Sequence, residues 1–498
     1  MVRGGWWPRL PVALLLALCA TYAYFPALDR VFVADQIGYF AELQGETSLA
    51  AGLGLLDYGA SRQYAKGDQL LYRPLMFAGL AVENALFRRD FRAWNVANLV
   101  VHLLVSYLLF EVLWRLRRSV LACGVALWFA LLAANFELVT WNHLGGYMLG
   151  YGLLLLALFA AREAVAEQAG RRWFWIYGVA MACAMLEHEI AVVAGFGVAA
   201  HALWRRWRKC GQGDWRWLAA ALAPALIYAV LYAYHVSQCD RLFWVNPHEG
   251  GAVTATGRLA AVPALLLNWG QHILLPRTGQ LAFSALRRSL WTPAADGLTG
   301  EVLAALALWA GAGFSLWRGF SRQHLKAAWP FGAALAVLIL AYAGLNLTGR
   351  PAYAMQVPYY DYFPALFGAV GLYALIDFSR VGRVGQTAAL AFLLLLAAGN
   401  GALVRRTGER LQEMNRPLAR YLEWVEQTVR PKLSDPNFSF AVRGVPSALD
   451  LTGPLVFGYP DQGMVVTIPL LHFLYGKSYD SATPAETFDF PRPEAELP

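Results

Sequence analysis

The chain has 498 residues, 58% of them hydrophobic and only 15% charged, with a mean hydropathy of +0.42. That is more apolar surface than a soluble fold can hide, so a soluble globular protein is excluded and a polytopic membrane protein is predicted. The net charge of +8 sits largely between apolar runs, where it orients a chain against anionic lipid and is no sign of nucleic-acid binding.

In chain order the apolar runs predict about eleven spans, near residues 10–27, 93–114, 119–135, 145–162, 173–187, 189–204, 217–236, 300–317, 328–346, 361–379 and 385–403. The first reads as a signal anchor, because Tyr22-Ala23-Tyr24-Phe25-Pro26 offers a poor small-residue cleavage site. Nineteen Trp and 23 Tyr are many for this length. Pairs such as Trp6-Trp7, Trp173-Phe174-Trp175 and Trp215-Arg216-Trp217 sit beside apolar runs, as aromatic belts do. Alternating sides gathers Arg3 and Arg9, Arg115/Arg117/Arg118, Arg162/Arg171/Arg172, Arg205/Arg206/Arg208/Lys209, Arg318/Arg322/Lys326 and Arg380/Arg383 on one face of the membrane. By the positive-inside rule that face is cytoplasmic, with the N-terminus in the cytoplasm and the C-terminus outside.

Three segments lie outside the membrane on this reading. Residues 29–92 contain amphipathic pieces, Ile37 to Leu43 and Leu75 to Phe87, expected as helices along the membrane surface. Residues 237–300 include the run Leu259 to Leu275, which is kept from crossing because a crossing would put the basic loops at Arg318 and Arg380 outside. The tail from 404 to 498 starts with a charged stretch of helical spacing, Arg405 to Lys432. It goes on through proline-punctuated β-like runs such as Val465-Val466-Thr467-Ile468, and ends in a Pro- and Glu-rich stretch, Pro484 to Pro498, expected to be disordered. The division is therefore a transmembrane domain over 1–403 and a small extracytoplasmic α+β appendage over 404–498. Cys19, Cys123, Cys183, Cys210 and Cys239 are scattered and suggest neither a metal cluster nor a disulfide framework.

An ionisable group near a membrane needs a reason, since burying it uncompensated is costly. Tyr72-Arg73-Pro74-Leu75 stands ahead of Asn95-Val96-Ala97-Asn98-Leu99-Val100-Val101-His102-Leu103, and together they make a "YRPL … N-x-x-N-L-x-x-H-L" pattern. Phe136-Glu137-Leu138-Val139-Thr140-Trp141-Asn142-His143 forms a short external turn between the third and fourth spans, and Glu187-His188-Glu189 is the tip between the fifth and sixth. Leu274-Leu275-Pro276-Arg277 and Tyr359-Tyr360-Asp361-Tyr362-Phe363-Pro364 head later spans on the same side. In order and placement these segments resemble the bacterial relatives of the transmembrane-and-TPR O-mannosyltransferases, integral membrane glycosyltransferases of the GT-C superfamily. The fold class that follows is an all-α polytopic membrane protein, GT-C-like, with about eleven transmembrane helices and the α+β appendage. No TPR repeat is present.

The resemblance implies that Asp35, in the first external loop, is the catalytic base, although a solvated loop carboxylate is the plainer alternative. Relatives pair two acidic residues there, whereas this chain has Asp35-Gln36. Metal-independent chemistry without a cofactor is expected, with a divalent metal left open. Glu189 matches the Glu of the relatives' S-K-E, with His188 in place of Lys. Glu137 and Trp141 match an H-x-E-x-V-x-W turn, whose following Arg is absent at Gly145, Gly146 and Tyr147. Trp141 would stack on a sugar or belong to the interface belt. Tyr359 replaces the Arg of R-Y-L-Y-L-P, so Arg73 and Arg277 are the remaining candidates to bind a donor phosphate, an interfacial anchor being the plainer alternative for either. Glu187, His188, Glu189, Glu137, Trp141, His143, Tyr360 and Asp361 are the candidate substrate-binding residues.

The expected activity is transfer of a hexose or pentose from a polyprenyl-phosphate donor, by inverting displacement, to an extracytoplasmic glycan, lipid-linked saccharide or protein such as a pilin, in the bacterial cytoplasmic membrane. The partners are that lipid-linked donor, the acceptor and the bilayer. No Gly-rich phosphate loop is present to hold a nucleotide sugar. Rival readings are a flippase for lipid-linked sugars, which expects duplicated halves and polar residues near the midplane, and a polysaccharide polymerase or ligase.

Overall fold

The computed structural model describes residues 9–30, 50, 72–88, 90–165, 172–208, 215–237, 333–344, 361–378, 383–428, 431, 440–443 and 486–489, with single positions between 262 and 273. Almost all are helical, and the protein is a multi-pass α-helical membrane protein. The helices are α1 Arg9–Leu28, α2 Pro74–Phe87, α3 Phe91–Arg117, α4 Leu121–Leu131, α5 Phe136–Thr140, α6 Gly145–Val165, α7 Arg172–Glu187, α8 Ile190–Arg208 and α9 Trp215–Ser237. They continue with α10 Ala333–Gly344, α11 Tyr362–Phe378 and α12 Arg383–Thr428. Among the described residues five helices are long and apolar enough to cross a membrane, or six if one bent pair is a single span. The expected spans at 173–187, 189–204, 328–346 and 361–379 are met by shorter helices, and 300–317 lies outside the described residues.

Packing sets the direction of each helix. Leu390 and Leu393 of α12 lie against Gly124, Leu131 lies against Gly401, and a Cβ on Gly408 would come within 3.2 Å of the Ala27 nitrogen. α1, α4 and α12 therefore run parallel. Val105 meets Gly152, and Phe159 meets Trp173, so α3 and α6 run together and α7 returns beside them. One end of the bundle thus collects the end of α1, the starts of α3, α6, α8 and α11, the end of α7 and the whole of α2. The other end carries Arg115, Arg117, Arg118, Arg162, Arg172 and Arg383.

Three interior side chains hold the first end together. Asn95, Asn98 and His102 follow at i, i+3 and i+7, on one face of α3, and all are buried. The Asn95 amide donates to the Leu28 and Arg30 carbonyls at the exit of α1, at 2.9 and 3.0 Å. Asn98 Nδ2 donates to Val139, Leu138 and Trp141 carbonyls at 2.7, 3.2 and 3.3 Å. His102 lies 2.9 Å from both the Ala130 carbonyl and the Tyr362 hydroxyl.

These amides correct the expectation of a short external turn at 136–144. The third span breaks after Leu131 and bends by 48° into the segment Ala133–Thr140, and every residue from 131 to 144 is buried. A broken helix exposes carbonyls and amides that apolar surroundings cannot satisfy. Asn98 covers three carbonyls, Asn135 Nδ2 covers Phe129 O at 2.8 Å, and Asn400 Oδ1 accepts from the Ala133 N–H at 3.0 Å.

Two other expectations change. α2 is not amphipathic as expected, since Met76, Phe77, Ala78, Leu80, Ala81 and Asn84 are all buried. α12 passes without a break through Leu403-Val404, where the sequence suggests a boundary, and runs 46 residues to Thr428. Its second half stays anchored to α1: Arg405 donates to the Tyr22 carbonyl at 3.0 Å and lies 4.4 Å from the Tyr22 ring centroid. Beyond it, β1 Phe440–Arg443 pairs in parallel with β2 Glu486–Asp489, so residues 486–489 are ordered within a stretch expected to be disordered. Ile37 to Leu43 and Val465 to Ile468 lie outside the described residues.

Candidate active site

Pro74 opens α2, where its missing N–H costs nothing, and this holds Arg73 just ahead of the first turn. Across from it, α7 and α8 form a hairpin whose tip is Glu187-His188-Glu189. Arg73 grips the tip as a fork: Nε donates to Glu189 Oε1 and Oε2 at 3.0 and 3.2 Å, and Nη2 donates to Oε2 at 2.7 Å. Nη1 donates to the Tyr147 hydroxyl. Residues 116 apart in sequence are thus joined by the planar, bidentate pairing that guanidinium and carboxylate favour. Both side chains are mostly buried. Burial pushes the Glu189 carboxyl upward, but Arg73 beside it overcomes this and holds it below the usual carboxylate range. Glu189 also stands at the N-terminus of α8, where negative charge is favoured.

His188 is the opposite case. Its Nδ1 accepts the Ile190 N–H at 3.2 Å, which caps α8 and leaves the ring proton on Nε2. Tyr147 and Tyr151, one turn apart on α6, each bring a ring to 5.2 Å from it. Tyr151 shares a 3.0 Å hydrogen bond with Tyr342, which stacks on Phe363 at 4.2 Å. Burial, and then the charge of Arg73, lower the His188 pKa to about 3, so the ring is neutral where the Lys of the resembled family would be charged.

The sign of the pH dependence follows. Between about pH 6.5, the ordinary His value, and pH 3 the unfolded chain binds a proton at His188 that the folded chain refuses, so this residue's contribution to stability falls as pH falls through that window. Glu189, already depressed, adds its own loss only below about pH 4.3. Melting in detergent from pH 7 to 4.5 should drop less for His188→Gln, whose amide oxygen can still accept from Ile190, than for the unaltered chain. Parallel curves would assign the acid sensitivity elsewhere.

Glu187, the last residue of α7, is 1% exposed, and its Oε2 has no hydrogen-bond partner. It faces a gap in α6: a Cβ on Gly146 would lie 2.5 Å from Glu187 Oε2, and one on Gly150 2.7 Å from Glu187 Cβ. Gly145 is likewise pressed against Asn98 Oδ1. The two glycines that stand where the resembled turn carries an Arg are thus required by the packing, and Tyr147 presents the group that reaches Arg73.

On the other side of this first turn of α6 lie Glu137, Trp141 and His143. All three are buried, and the Trp141 and His143 rings are 5.5 Å apart. Trp141 is 1% exposed and so belongs to no interface belt. Asp361, at the head of α11, is buried as well. None of these four is without a partner. Arg30, two residues past α1, is buried here too and close enough to His143 to act on it electrostatically. Asp35, Arg277 and Tyr360 lie outside the described residues. Among the described residues no group of three or more His, Cys, Asp or Glu could hold a metal ion.

Of the sequence candidates, then, Arg73, His188, Glu189 and Glu187 are brought together, with Glu137, Trp141 and His143 behind one helical turn and Asp361 at the same end. Tyr147, Tyr151, Tyr342 and Arg30 are not among the sequence candidates, and Asn98 stands in the sequence pattern without a role assigned to it. The i, i+4 tyrosines of α6 and the i, i+3, i+7 polar face of α3 are the signals that could have found some of them.

No family model matches the chain, and no curated protein does. Among solved structures, ArnT from Cupriavidus metallidurans bound to undecaprenyl phosphate is similar at 15% identity and a TM-score of 0.44, over 92% of this chain and 87% of that one. The apo form of the same protein is similar at 15% identity and 0.45, over 89% and 84%. Neither likeness is close enough to transfer a residue or a ligand.

Proposed function

We propose that the chain is a GT-C-type glycosyltransferase that moves a sugar from a polyprenyl-phosphate donor to an extracytoplasmic acceptor at the Arg73 end of the bundle. The observation that carries this reading is the buried Arg73–Glu189–Tyr147 cluster. Such a burial is costly unless used or fully paired, and it falls where the YRP and Glu-His-Glu segments resemble the family. The basic residues of α3, α6, α7 and α12 at the opposite end support a cytoplasmic placement for that end, in a bacterial inner membrane, with the C-terminus periplasmic.

The reaction is a single displacement with inversion. The acceptor oxygen forms its bond to the anomeric carbon as the bond from that carbon to the phosphate oxygen breaks. The acceptor proton passes to Asp35, and the leaving polyprenyl phosphate keeps the electron pair. Arg73, joined by Arg277, offsets the charge that grows on the departing oxygen, a contribution that is large when the donors are already in place. Glu189 supplies that placement by fixing the guanidinium plane, and Glu187 orients the donor. The 404–498 segment selects between a glycan, a lipid-linked saccharide and a secreted protein as acceptor, which exchanging it with the tail of a relative would test.

Asp35→Asn is expected to remove transfer by a factor of at least about 100, the scale of lost general-base catalysis, in membranes that hold normal amounts of protein. Unchanged product in envelope glycans and surface proteins, read by mass spectrometry, would remove Asp35 from the role.

A further inference from the structure

Glu187 closes α7 in a notch cut into α6. The Cβ that Gly146 lacks would fall 2.5 Å from Glu187 Oε2 and 2.7 Å from Met76 Cγ, and the one that Gly150 lacks would fall 2.7 Å from Glu187 Cβ. The carboxyl is therefore held between α6 and the Met76 face of α2. The residue is 1% exposed, and Oε2 has no hydrogen-bond partner among the described residues. Ionised there, it would be an uncompensated buried charge, which is costly.

The charges around it do not compensate. Arg73 is close enough to act on Glu187, but its guanidinium is forked onto Glu189 and bonded to Tyr147. Glu83 follows Met76 by seven residues, on the same face of α2, and is near enough to repel a charge on Glu187. The other titratable groups at this end are Cys183, one turn back on α7 and close enough to interact, then His188 and Glu189 at the tip, Tyr147 on α6 and Tyr228 on α9. Of all these only Arg73 is a cation, and one guanidinium cannot offset Glu83, Glu187 and Glu189 together. Buried glutamates in such surroundings keep their proton up to about pH 8–9.

We propose that Glu187 is a neutral acid at neutral pH and a positioning residue for Arg73. Its proton leaves the guanidinium wholly to Glu189 and Tyr147, and its ionisation draws the guanidinium off them and stops transfer. The effect on transfer rests on the glycosyltransferase reading given above, whereas the proton on Glu187 does not. The protonated form is the working one, so transfer falls as pH rises above neutral.

The test uses the purified full-length chain in detergent. A protonated carboxyl absorbs in the infrared apart from carboxylates, and such a band is expected at pH 7 in the unaltered chain and missing from Glu187→Gln. The amide has the shape of the neutral acid and never ionises. Transfer by Glu187→Gln should therefore exceed that by Glu187→Ala at least tenfold at pH 7, and stay level between pH 7 and 9.5 where the unaltered chain falls. Glu83→Gln removes a neighbouring like charge and should move that fall to lower pH, which keeps the proposal testable if Glu187→Gln does not fold. Cys183→Ser should leave the fall where it is. No Glu187 band at pH 7, the same alkaline fall in Glu187→Gln, or a fall that disappears in Cys183→Ser would each overturn the proposal. So would a folded Glu187→Gln that is as inactive as Glu187→Ala at every pH. A chain that shows the band but releases no polyprenyl phosphate from polyprenyl-phosphate sugar overturns the transferase reading and leaves the proton on Glu187 established.

Discussion

Arg73→Ala is expected to abolish transfer and to cost the fold about 3–5 kcal/mol, because it leaves the Glu189 carboxylate buried without its partner. Arg73→Lys should recover little. A point charge can face one carboxylate oxygen, but it cannot make the Nε and Nη2 fork to Glu189 while also reaching Tyr147. The informative variant is the double exchange Arg73→Met with Glu189→Leu. Replacing a buried ion pair by apolar residues of similar size is often neutral or stabilising. The double variant should therefore melt near the unaltered protein and still transfer nothing. Recovery of activity along with stability would make the pair a structural clamp only. Persistent instability would mean that Tyr147, His188 and the tip of the α7–α8 hairpin need the charges for their own placement.

Asn98→Ala carries the second large effect. One amide serves the Leu138, Val139 and Trp141 carbonyls at the break of the third span, in a segment buried throughout. Each carbonyl left without a donor costs roughly 1–3 kcal/mol, and water cannot reach these to compensate. Asn98→Asp is expected to be worse than Asn98→Ala despite its matched shape, since an ionised carboxylate offers no donor and places a negative charge against three carbonyl dipoles. Melting in detergent would rank the two. If alanine proved harmless, the bent segment would be held by its apolar packing, and the polar stripe of α3 would be incidental.

Much of the bundle could be read from hydropathy. α1, α3, α6, α9 and α12 appear as helices where apolar runs of membrane-crossing length end in basic residues or aromatic belts. Hydropathy has no means of marking the break in the third span, because the interruption there is made by amides on other helices, Asn98 from α3 and Asn400 from α12. For the same reason the sequence cannot place Trp141: an aromatic in a short polar segment looks alike whether the segment lies in the interface or is packed inside the protein. The sequence suggests a boundary at 403 because composition turns from apolar to charged at Arg405, while α12 itself continues, held by Arg405 on Tyr22 and by Gly408 against Ala27.

The site was legible residue by residue but not as an arrangement. Arg73 and Glu189 were each marked by charge near an apolar run, and nothing in their spacing says that they pair across 116 residues. Tyr147 carried no mark at all, since a tyrosine near the membrane is ordinary. Its role follows from the two glycines before it, which bring α6 against Asn98 and Glu187 and so set the hydroxyl beside the guanidinium.

Whether this end of the bundle cleaves a sugar from a lipid phosphate can be read from purified protein in vesicles given labelled polyprenyl-phosphate sugar and envelope acceptors. Free polyprenyl phosphate and glycosylated acceptor are expected in equal amounts, both absent with Arg73→Met/Glu189→Leu. Intact donor crossing between leaflets with no lipid phosphate released would contradict it and identify a flippase.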